Sequence, residues 1–355
     1  MNCSCRIFDA VKEFKSIVNK FAFNPPQNCH YTINYIYSLD SIYQAKEYEK
    51  VSFHHTTYNT LPKYFPHITE SSYILYHQSE NEKTEHTIAL LYLQTYTPRF
   101  TILYSHGNSS SLGTIYPFLY DIATQFKCNI VSYDYSGYGQ SRGTPSEDMI
   151  KSNVTSVYKF MRDKLAIEKG KIVVMGHSIG SFPSVHIAEH KSSIAGLILV
   201  SPIASGKMYT NDKVNDYKGI DLFNNSRKIK KVKCPLLLIH GKGDKDISYD
   251  HSVTLLKNAK CHKFKWFPLN ANHKNIYDKY RMNYIKKVNK FLDFCSTSIQ
   301  NRRNSKNSIS SIISESEQSS NKSFGNRIRR IDSEDDIGED MEERKINIRD
   351  SDEDE

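Results

Sequence analysis

Residues 176–180, Gly-His-Ser-Ile-Gly, are the stretch that decides the fold. The apolar run Lys171–Met175 precedes them and predicts a strand, and Ser181–His190 follows them and predicts a helix. A glycine on each side of Ser178 permits a turn that is too tight for larger side chains. Strand, tight turn and helix in this order are the surroundings of a nucleophilic serine, whose hydroxyl the turn lifts above the edge of a sheet.

Outward from this stretch, apolar runs alternate with helical segments. Several runs are uninterrupted in Val, Ile and Leu, as in strands that are buried on both faces. The alternation predicts the α/β-hydrolase fold, with a mostly parallel central sheet and helices on both faces. The segment from Ile203 to Val232 is too short for a large lid, so we expect a short lid or none. The predicted strands are Ile88–Leu93, Phe100–Tyr104, Asn129–Tyr133, Lys171–Met175, Gly196–Val200, Pro235–Ile239 and Lys263–Phe267.

A nucleophilic serine needs a base, and in this fold an acid and then a histidine follow the serine along the chain. Asp244 comes just after the strand Pro235–Ile239 and is the predicted acid, with Asp246 as its alternative. His273 follows the last strand and is the predicted base. His262 is the alternative base, but it opens that strand and would lie at the wrong end of the sheet.

Acyl transfer also needs two backbone N–H donors for the oxyanion. The first is Ile179, directly after the serine. The second is expected in the loop Ser105–Ser111, where Gly107 permits the turn and Asn108 supplies the donor. His106 precedes the turn and is predicted to be structural.

The sequence gives no reason to expect a metal or a cofactor. No cysteine and histidine cluster has the spacing of zinc ligands, and there is no His-Glu-x-x-His motif. The pair Gly137 and Gly139 lacks the third glycine of a dinucleotide-binding loop, because Arg142 stands at that place. Seven cysteines without the spacing of a disulfide framework indicate reduced thiols in the cytoplasm.

Residues 1–30 are predicted to be a membrane-association segment. Apolar residues recur at three- and four-residue steps from Ile7 to Phe21, with lysines among them, and a basic amphipathic helix of this kind can lie in a membrane interface. Cys3 and Cys5 precede this helix and are possible S-acylation sites. The alternative is a helix that packs on the domain, with two unmodified cysteines.

Charge is unevenly spread along the chain. The total is +9, but residues 331–355 hold 13 acids and 3 bases, so the other 330 residues carry +19. A basic body suits an anionic membrane surface, and no motif supports nucleic acid; a basic composition with no partner is the alternative. Residues 296–355, rich in Ser and Asn and then acidic, are a predicted disordered tail, and residues 31–295 are the hydrolase domain.

Together these motifs resemble the α/β-hydrolase domain-containing protein 17 family over about residues 20–295. Members are membrane-tethered serine thioesterases that remove palmitate from cysteines of peripheral membrane proteins. The resemblance implies Ser178, Asp244 and His273 as the catalytic triad, while His177 stands where the family usually has glutamine. The stretches that carry the resemblance are Phe21–Pro26, Leu103–Asn108, Tyr133–Gly139, Ser178–Gly180, Ser201–Pro202, His240–Asp244 and His273.

We therefore expect a palmitoyl-protein thioesterase that works through an acyl-enzyme. A carboxylesterase or lipase acting on small esters, and a catalytically silent membrane-tethered binding module, are the alternatives. The expected partners are S-acylated peripheral membrane proteins as substrates and a membrane surface contacted by the N-terminus, with no nucleic acid. We expect a monomer that is cytoplasmic and peripheral on the cytosolic face of the plasma membrane or of an endosome.

Overall fold

A computed structural model describes residues 22–35, 47–78, 85–209 and 221–301. The chain divides into two units, Met1–Gln300 and Asn301–Glu355, and all described residues except Asn301 belong to the first. The predicted N-terminal helix, Cys3 and Cys5 lie outside the described residues, as does the tail from residue 302. The domain boundaries drawn from the sequence stay a prediction.

The described residues form one sheet of ten strands in the order β1-β2-β3-β4-β6-β5-β7-β8-β9-β10. The first four strands are antiparallel, β4 pairs antiparallel with β6, and the rest are parallel. The α/β-hydrolase fold predicted from the sequence is confirmed. The strands are β1 (Tyr31–Tyr35), β2 (Tyr48–His55), β3 (Ile68–Gln78), β4 (Glu85–Thr95), β5 (Thr101–Ser105), β6 (Asn129–Tyr133), β7 (Ile172–His177), β8 (Gly196–Val200), β9 (Leu236–Ile239) and β10 (Lys263–Trp266).

Helices cover both faces of this sheet. Leu112–Phe126 and the helix of residues 281–301 pack on one face, and Glu147–Asp163, Ser181–His190 and Asp250–Asn258 pack on the other. Alternate residues of a strand serve the two faces, as the pleat requires. Shorter helices lie at Leu61–Tyr64, Gly206–Tyr209, Asn225–Lys228 and Ile276–Lys279.

The segment between β8 and β9 is where a lid would lie. Its described parts hold two one-turn α-helices, Gly206–Tyr209 and Asn225–Lys228, and the 3-10 turn Ile229–Lys231, while residues 210–220 lie outside the described ranges. In the part of the chain that the structure describes, no helix combines the length and the apolar character needed to cross a membrane.

Candidate active site

The serine lies at a strained turn between β7 and the next helix. Ser178 has a φ of 57°, a left-handed conformation that a serine rarely adopts, and it opens the 3-10 turn Ser178–Gly180. A Cβ atom at Gly176 would lie 2.2 Å from the Gly180 carbonyl oxygen, and one at Gly180 would lie 2.1 Å from the Ser105 carbonyl oxygen. Because backbone fills both places, only glycine fits there, and the close packing holds Ser178 in its turn.

The structure brings the predicted serine, histidine and acid into one chain of hydrogen bonds. His273 Nε2 lies 3.1 Å from Ser178 Oγ, and His273 Nδ1 lies 2.7 Å from Asp244 Oδ2. The three residues follow β7, β9 and β10, whose carboxyl ends lie at the same edge of the sheet. An imidazole between a hydroxyl and a carboxylate is arranged to take a proton from the hydroxyl. Their catalytic roles stay a prediction.

Asp244 is buried and held by several donors. Its Oδ1 atom accepts the backbone N–H groups of Asp246 at 2.9 Å and Ile247 at 2.8 Å. Burial by itself disfavours the charged form, but hydrogen bonds from His240 and His273 outweigh it and hold the pKa of Asp244 well below its ordinary value. The carboxylate is therefore ionised at neutral pH and can stabilise a positively charged imidazole beside it.

The two alternative residues are not part of this chain of hydrogen bonds. Asp246 donates its backbone N–H to Asp244 and lines the cleft that contains Ser178. His262 precedes β10, where its carbonyl accepts the N–H of Leu236, and its ring stacks on Phe294 at 4.5 Å. That position is the amino end of the strand, opposite to Ser178, as expected from the sequence.

His177 also lines the cleft, and no role was predicted for it from the sequence. Its Nε2 atom lies 3.3 Å from the carbonyl oxygen of His273, and the two rings are 5.2 Å apart. Burial, followed by the nearby His273, lowers the pKa of His177 to about 4. The ring is neutral at physiological pH and can donate from Nε2 to the His273 carbonyl, which ties the two loops together.

Both residues predicted to form the oxyanion hole line the same cleft as Ser178. Ile179 follows the serine in the 3-10 turn, and Asn108 lies in the loop after β5. His106, predicted to be structural, is fully buried; its Nδ1 contacts the Gly107 carbonyl at 2.8 Å, and its ring packs on Tyr135. Whether the two backbone N–H groups stabilise an oxyanion stays a prediction.

The cleft over Ser178 has a volume of about 840 Å³. This lies within the range of about 300–1,000 Å³ that is typical of small-molecule sites. Four exposed charged residues, Lys245, Asp246, Lys274 and Asp278, are among those that line it. Its apolar lining includes Tyr104, Ile115, Phe118, Val200, Ile203, Phe223, Ile276, Tyr277 and Tyr284. The cleft therefore brings apolar side chains together with the Ser178 hydroxyl.

Three side chains with metal-binding atoms cluster on the helix after the serine. His186, Glu189 and His190 lie within reach of one ion, on a described part of the chain. None of them lines the cleft, and Glu189 pairs with Lys231 at 2.9 Å. The cluster therefore lies apart from the cleft that contains Ser178.

The sheet, the strained serine turn and the histidine and aspartate beside it are those of a protein with the α/β-hydrolase fold. A family model described as alpha/beta hydrolase fold matches residues 101–217. An esterase from Pyrococcus furiosus has the same fold, with a TM-score of 0.53 and 17% identity over 65% of this chain and 94% of the esterase.

Two relatives share more sequence identity with this chain than the esterase does. The alpha/beta hydrolase domain-containing protein aho-3 of Caenorhabditis elegans is 34% identical over 202 residues, 57% of this chain and 60% of that protein. The human alpha/beta hydrolase domain-containing protein 17B is 35% identical over 162 residues, 46% of this chain and 56% of that protein. The chain thus spans a little over half the length of these two relatives. The resemblance to the protein 17 family, predicted from the motifs, is confirmed by the named relatives.

Proposed function

We propose that this hydrolase is an acyl-protein thioesterase that removes a fatty acyl group, most readily palmitate, from cysteines of peripheral membrane proteins. The observation that carries the proposal is the 3.1 Å contact between Ser178 Oγ and His273 Nε2 at a cleft of about 840 Å³ that is partly lined by apolar side chains. The contact supplies an activated nucleophile, and the cleft supplies a surface for the acyl chain.

In the first half of the reaction, Ser178 Oγ attacks the thioester carbonyl carbon while His273 Nε2 takes the serine proton. The negative charge that develops on the carbonyl oxygen is stabilised by the backbone N–H groups of Ile179 and Asn108. The carbon–sulfur bond then breaks, and His273 returns the proton to the leaving sulfur as a cysteine thiol. An acyl-serine ester remains on the enzyme.

In the second half, water attacks the acyl-serine carbonyl while His273 takes a proton from that water. Collapse of the tetrahedral intermediate breaks the bond to Ser178 Oγ, which recovers its proton from His273. The fatty acid leaves as the second product. Asp244 stays ionised throughout and stabilises the imidazolium, as its lowered pKa favours.

Three features favour a protein-borne acyl thioester as substrate. The cleft is lined by apolar side chains and by exposed charged ones, which suits an acyl chain that is carried by a polar peptide. The resemblance to the protein 17 family points to palmitoylated cysteine as the acyl donor. The strongly basic body of the chain suits the anionic cytosolic face of a membrane, where such substrates lie.

Membrane recruitment through the N-terminus is part of the proposal. S-acylation of Cys3 and Cys5, together with the amphipathic helix that follows them, would supply the two signals that stable anchoring needs. Metabolic labelling with an alkyne palmitate analogue should mark wild type and should be lost from a Cys3→Ser, Cys5→Ser double variant. If a second variant that lacks residues 1–21, and with them both cysteines and the helix, still sediments with membranes as wild type does, this anchoring route is wrong.

The decisive experiment compares hydrolysis of a palmitoylated-cysteine peptide and of its oxygen-ester analogue. We expect wild type to prefer the thioester, Ser178→Ala to be inactive, and Ser193→Ala, an exposed serine before β8, to match wild type. A Ser178-dependent preference for the oxygen ester would instead indicate a carboxylesterase. If folded wild type cleaves neither substrate and is not labelled by a fluorophosphonate probe, the thioesterase proposal is wrong and a binding module is favoured.

A further inference from the structure

We propose that residues 22–24 complete the active site by gripping the side chain of Asn108. The inference rests on the proposed function, and in it the backbone and the side chain of Asn108 have separate roles. Its backbone N–H faces the oxyanion, and its carboxamide is a positioning group that fixes where this N–H points. The N-terminal segment before β1 supplies the surface on which the carboxamide is held.

The grip consists of two hydrogen bonds between distant parts of the chain. Asn108 Nδ2 donates to the carbonyl oxygen of Ala22 at 2.8 Å, and the N–H of Asn24 donates to Asn108 Oδ1 at 2.9 Å. A carbonyl and an N–H two residues further on are the groups that one strand offers to a parallel neighbour. The carboxamide therefore takes the place of a neighbouring peptide group, and both of its ends are fixed.

A third hydrogen bond, from Tyr138, holds the same side chain. The hydroxyl of Tyr138 donates to Asn108 Oδ1 at 2.6 Å, so this oxygen accepts two hydrogen bonds. Tyr138 is fully buried and packs edge-to-face on Tyr135. Asn24 also donates from its side chain to Ser109 Oγ at 3.3 Å. The loop is thus held between the N-terminal segment and a tyrosine of the core.

The N-terminal segment is itself firmly seated. Phe23 is 6% exposed, and its ring meets that of Phe223 edge-to-face at 5.7 Å. Ala22 and Phe223 both line the cleft that contains Ser178. Further along, the carbonyl of Cys29 accepts the Ser111 hydroxyl at 3.1 Å, so both sides of the loop touch this segment.

An oxyanion donor must be held accurately, because its effect depends on a donor distance of about 2.7–3.1 Å to an oxygen that exists only during the reaction. The loop closes its own turn with a bond from Ser110 N–H to the Gly107 carbonyl at 3.2 Å. Asn108 lies inside that turn, and its side chain bonds both to the N-terminal segment and to Tyr138. Loss of the grip would leave the donor present but less well aligned.

The test uses the full chain with Asn108→Ala, which removes all three contacts and keeps the backbone N–H. We expect kcat on an activated ester to fall by about tenfold, short of the 10²–10³ for a donor lost outright. KM should stay within about twofold, because only transition-state binding is affected. Affinity for a boronic acid that mimics the tetrahedral intermediate should fall in step with kcat, a change that a merely structural role would not produce.

Two further variants and a control make the test independent of Asn108 itself. Tyr138→Phe removes one donor and should lower kcat by less than Asn108→Ala. Asn24→Pro removes the backbone N–H from the N-terminal side and should lower kcat and inhibitor affinity together. Asn28→Ala is the matched control, because Asn28 is exposed on the same segment and its Oδ1 accepts the N–H of the nearby His30, at 2.8 Å. This control should match wild type.

The outcomes separate the inference from the function on which it rests. If wild type is active while folded Asn108→Ala and Asn24→Pro keep its kcat and its boronic acid affinity, the grip is wrong and the hydrolase stands. If wild type neither hydrolyses esters nor reacts with a fluorophosphonate, the proposed function fails and the inference fails with it. Equal thermal midpoints of variants and wild type establish that the comparison is between folded proteins.

Discussion

His240 donates to the oxygen of Asp244 that also faces His273. Its Nε2 atom lies 3.1 Å from Asp244 Oδ2 and 2.9 Å from the Ile247 carbonyl oxygen. Both neighbours are acceptors, so Nε2 carries the proton, and Nδ1 accepts from the Ser252 hydroxyl at 2.7 Å. His240, which is fully buried, is thus a second histidine that bonds to the acid and holds it in place.

Replacing His240 tests whether it positions the acid. His240→Phe keeps an aromatic ring at this position and removes a hydrogen bond to a charged group, which is worth about 1.5–3 kcal/mol. The pKa of Asp244 should rise, and kcat/KM should fall by roughly tenfold or more. Steady-state kinetics on an activated ester measures this loss. Ser252→Ala is the control, because it leaves the bond to Asp244 in place; equal losses in both variants would contradict the assignment.

The acid itself is tested by a pair of amide substitutions. Asp244→Asn keeps the shape but cannot hold His273 in the required tautomer, so kcat should fall by about 10⁴. Asp246→Asn should lose less than tenfold, because Asp246 contributes its backbone N–H, which the substitution retains. The measurement is kcat at neutral pH. A larger loss in Asp246→Asn than in Asp244→Asn would make Asp246 the acid.

The tight turn at the serine predicts a large stability difference between two glycine substitutions. Gly180→Ala places a Cβ atom 2.1 Å from the Ser105 carbonyl oxygen, so the backbone must move and the variant should lose about 2–4 kcal/mol of unfolding free energy. Gly170→Ala meets no atom within 4 Å and should stay within about 0.5 kcal/mol of wild type. Urea unfolding of both variants checks this, and equal stability would contradict the packing at the turn.

His251 predicts how stability changes with pH. Its Nδ1 atom accepts the Ala204 N–H at 2.9 Å, and burial, followed by the nearby His240, lowers its pKa to about 4. Because an unfolded histidine titrates near 6.5, only the unfolded chain gains this proton as pH falls from about 6.5 to 4. Stability should therefore fall with pH across this window, by up to about 1.4 kcal/mol per unit from this group.

The measurement for His251 is urea unfolding at pH 7, 6 and 5. His251→Asn has no ring to protonate, so its unfolding free energy should fall less steeply with acidification than that of wild type. Parallel curves for the two proteins would show that His251 does not contribute to the pH dependence.

Much of the sheet was predictable from the sequence, and the reason is burial. β4 to β9 were predicted because their apolar runs are covered on both faces. β10 was predicted as well, although it is an edge strand in which Lys263 and Lys265 are exposed. β1, β2 and β3 were missed, because they lie at the outer, antiparallel side and mix exposed polar residues with buried ones. β1 and β2 contain no uninterrupted apolar run of strand length, and β3 contains only the short run Tyr73–Tyr76 between polar residues.

The sequence by itself determined the serine turn, the order of serine, acid and histidine, and the α/β-hydrolase fold. These features depend on spacing within one strand, one turn and one helix, which neighbouring residues set. Only the tertiary structure decided that Asp244 rather than Asp246 faces His273, that His240 holds the acid, and that Asn24 meets Asn108. These contacts join loops that meet only when the strands assemble into the sheet, and the last one joins residues 84 positions apart. No pattern of neighbouring residues predicts such contacts.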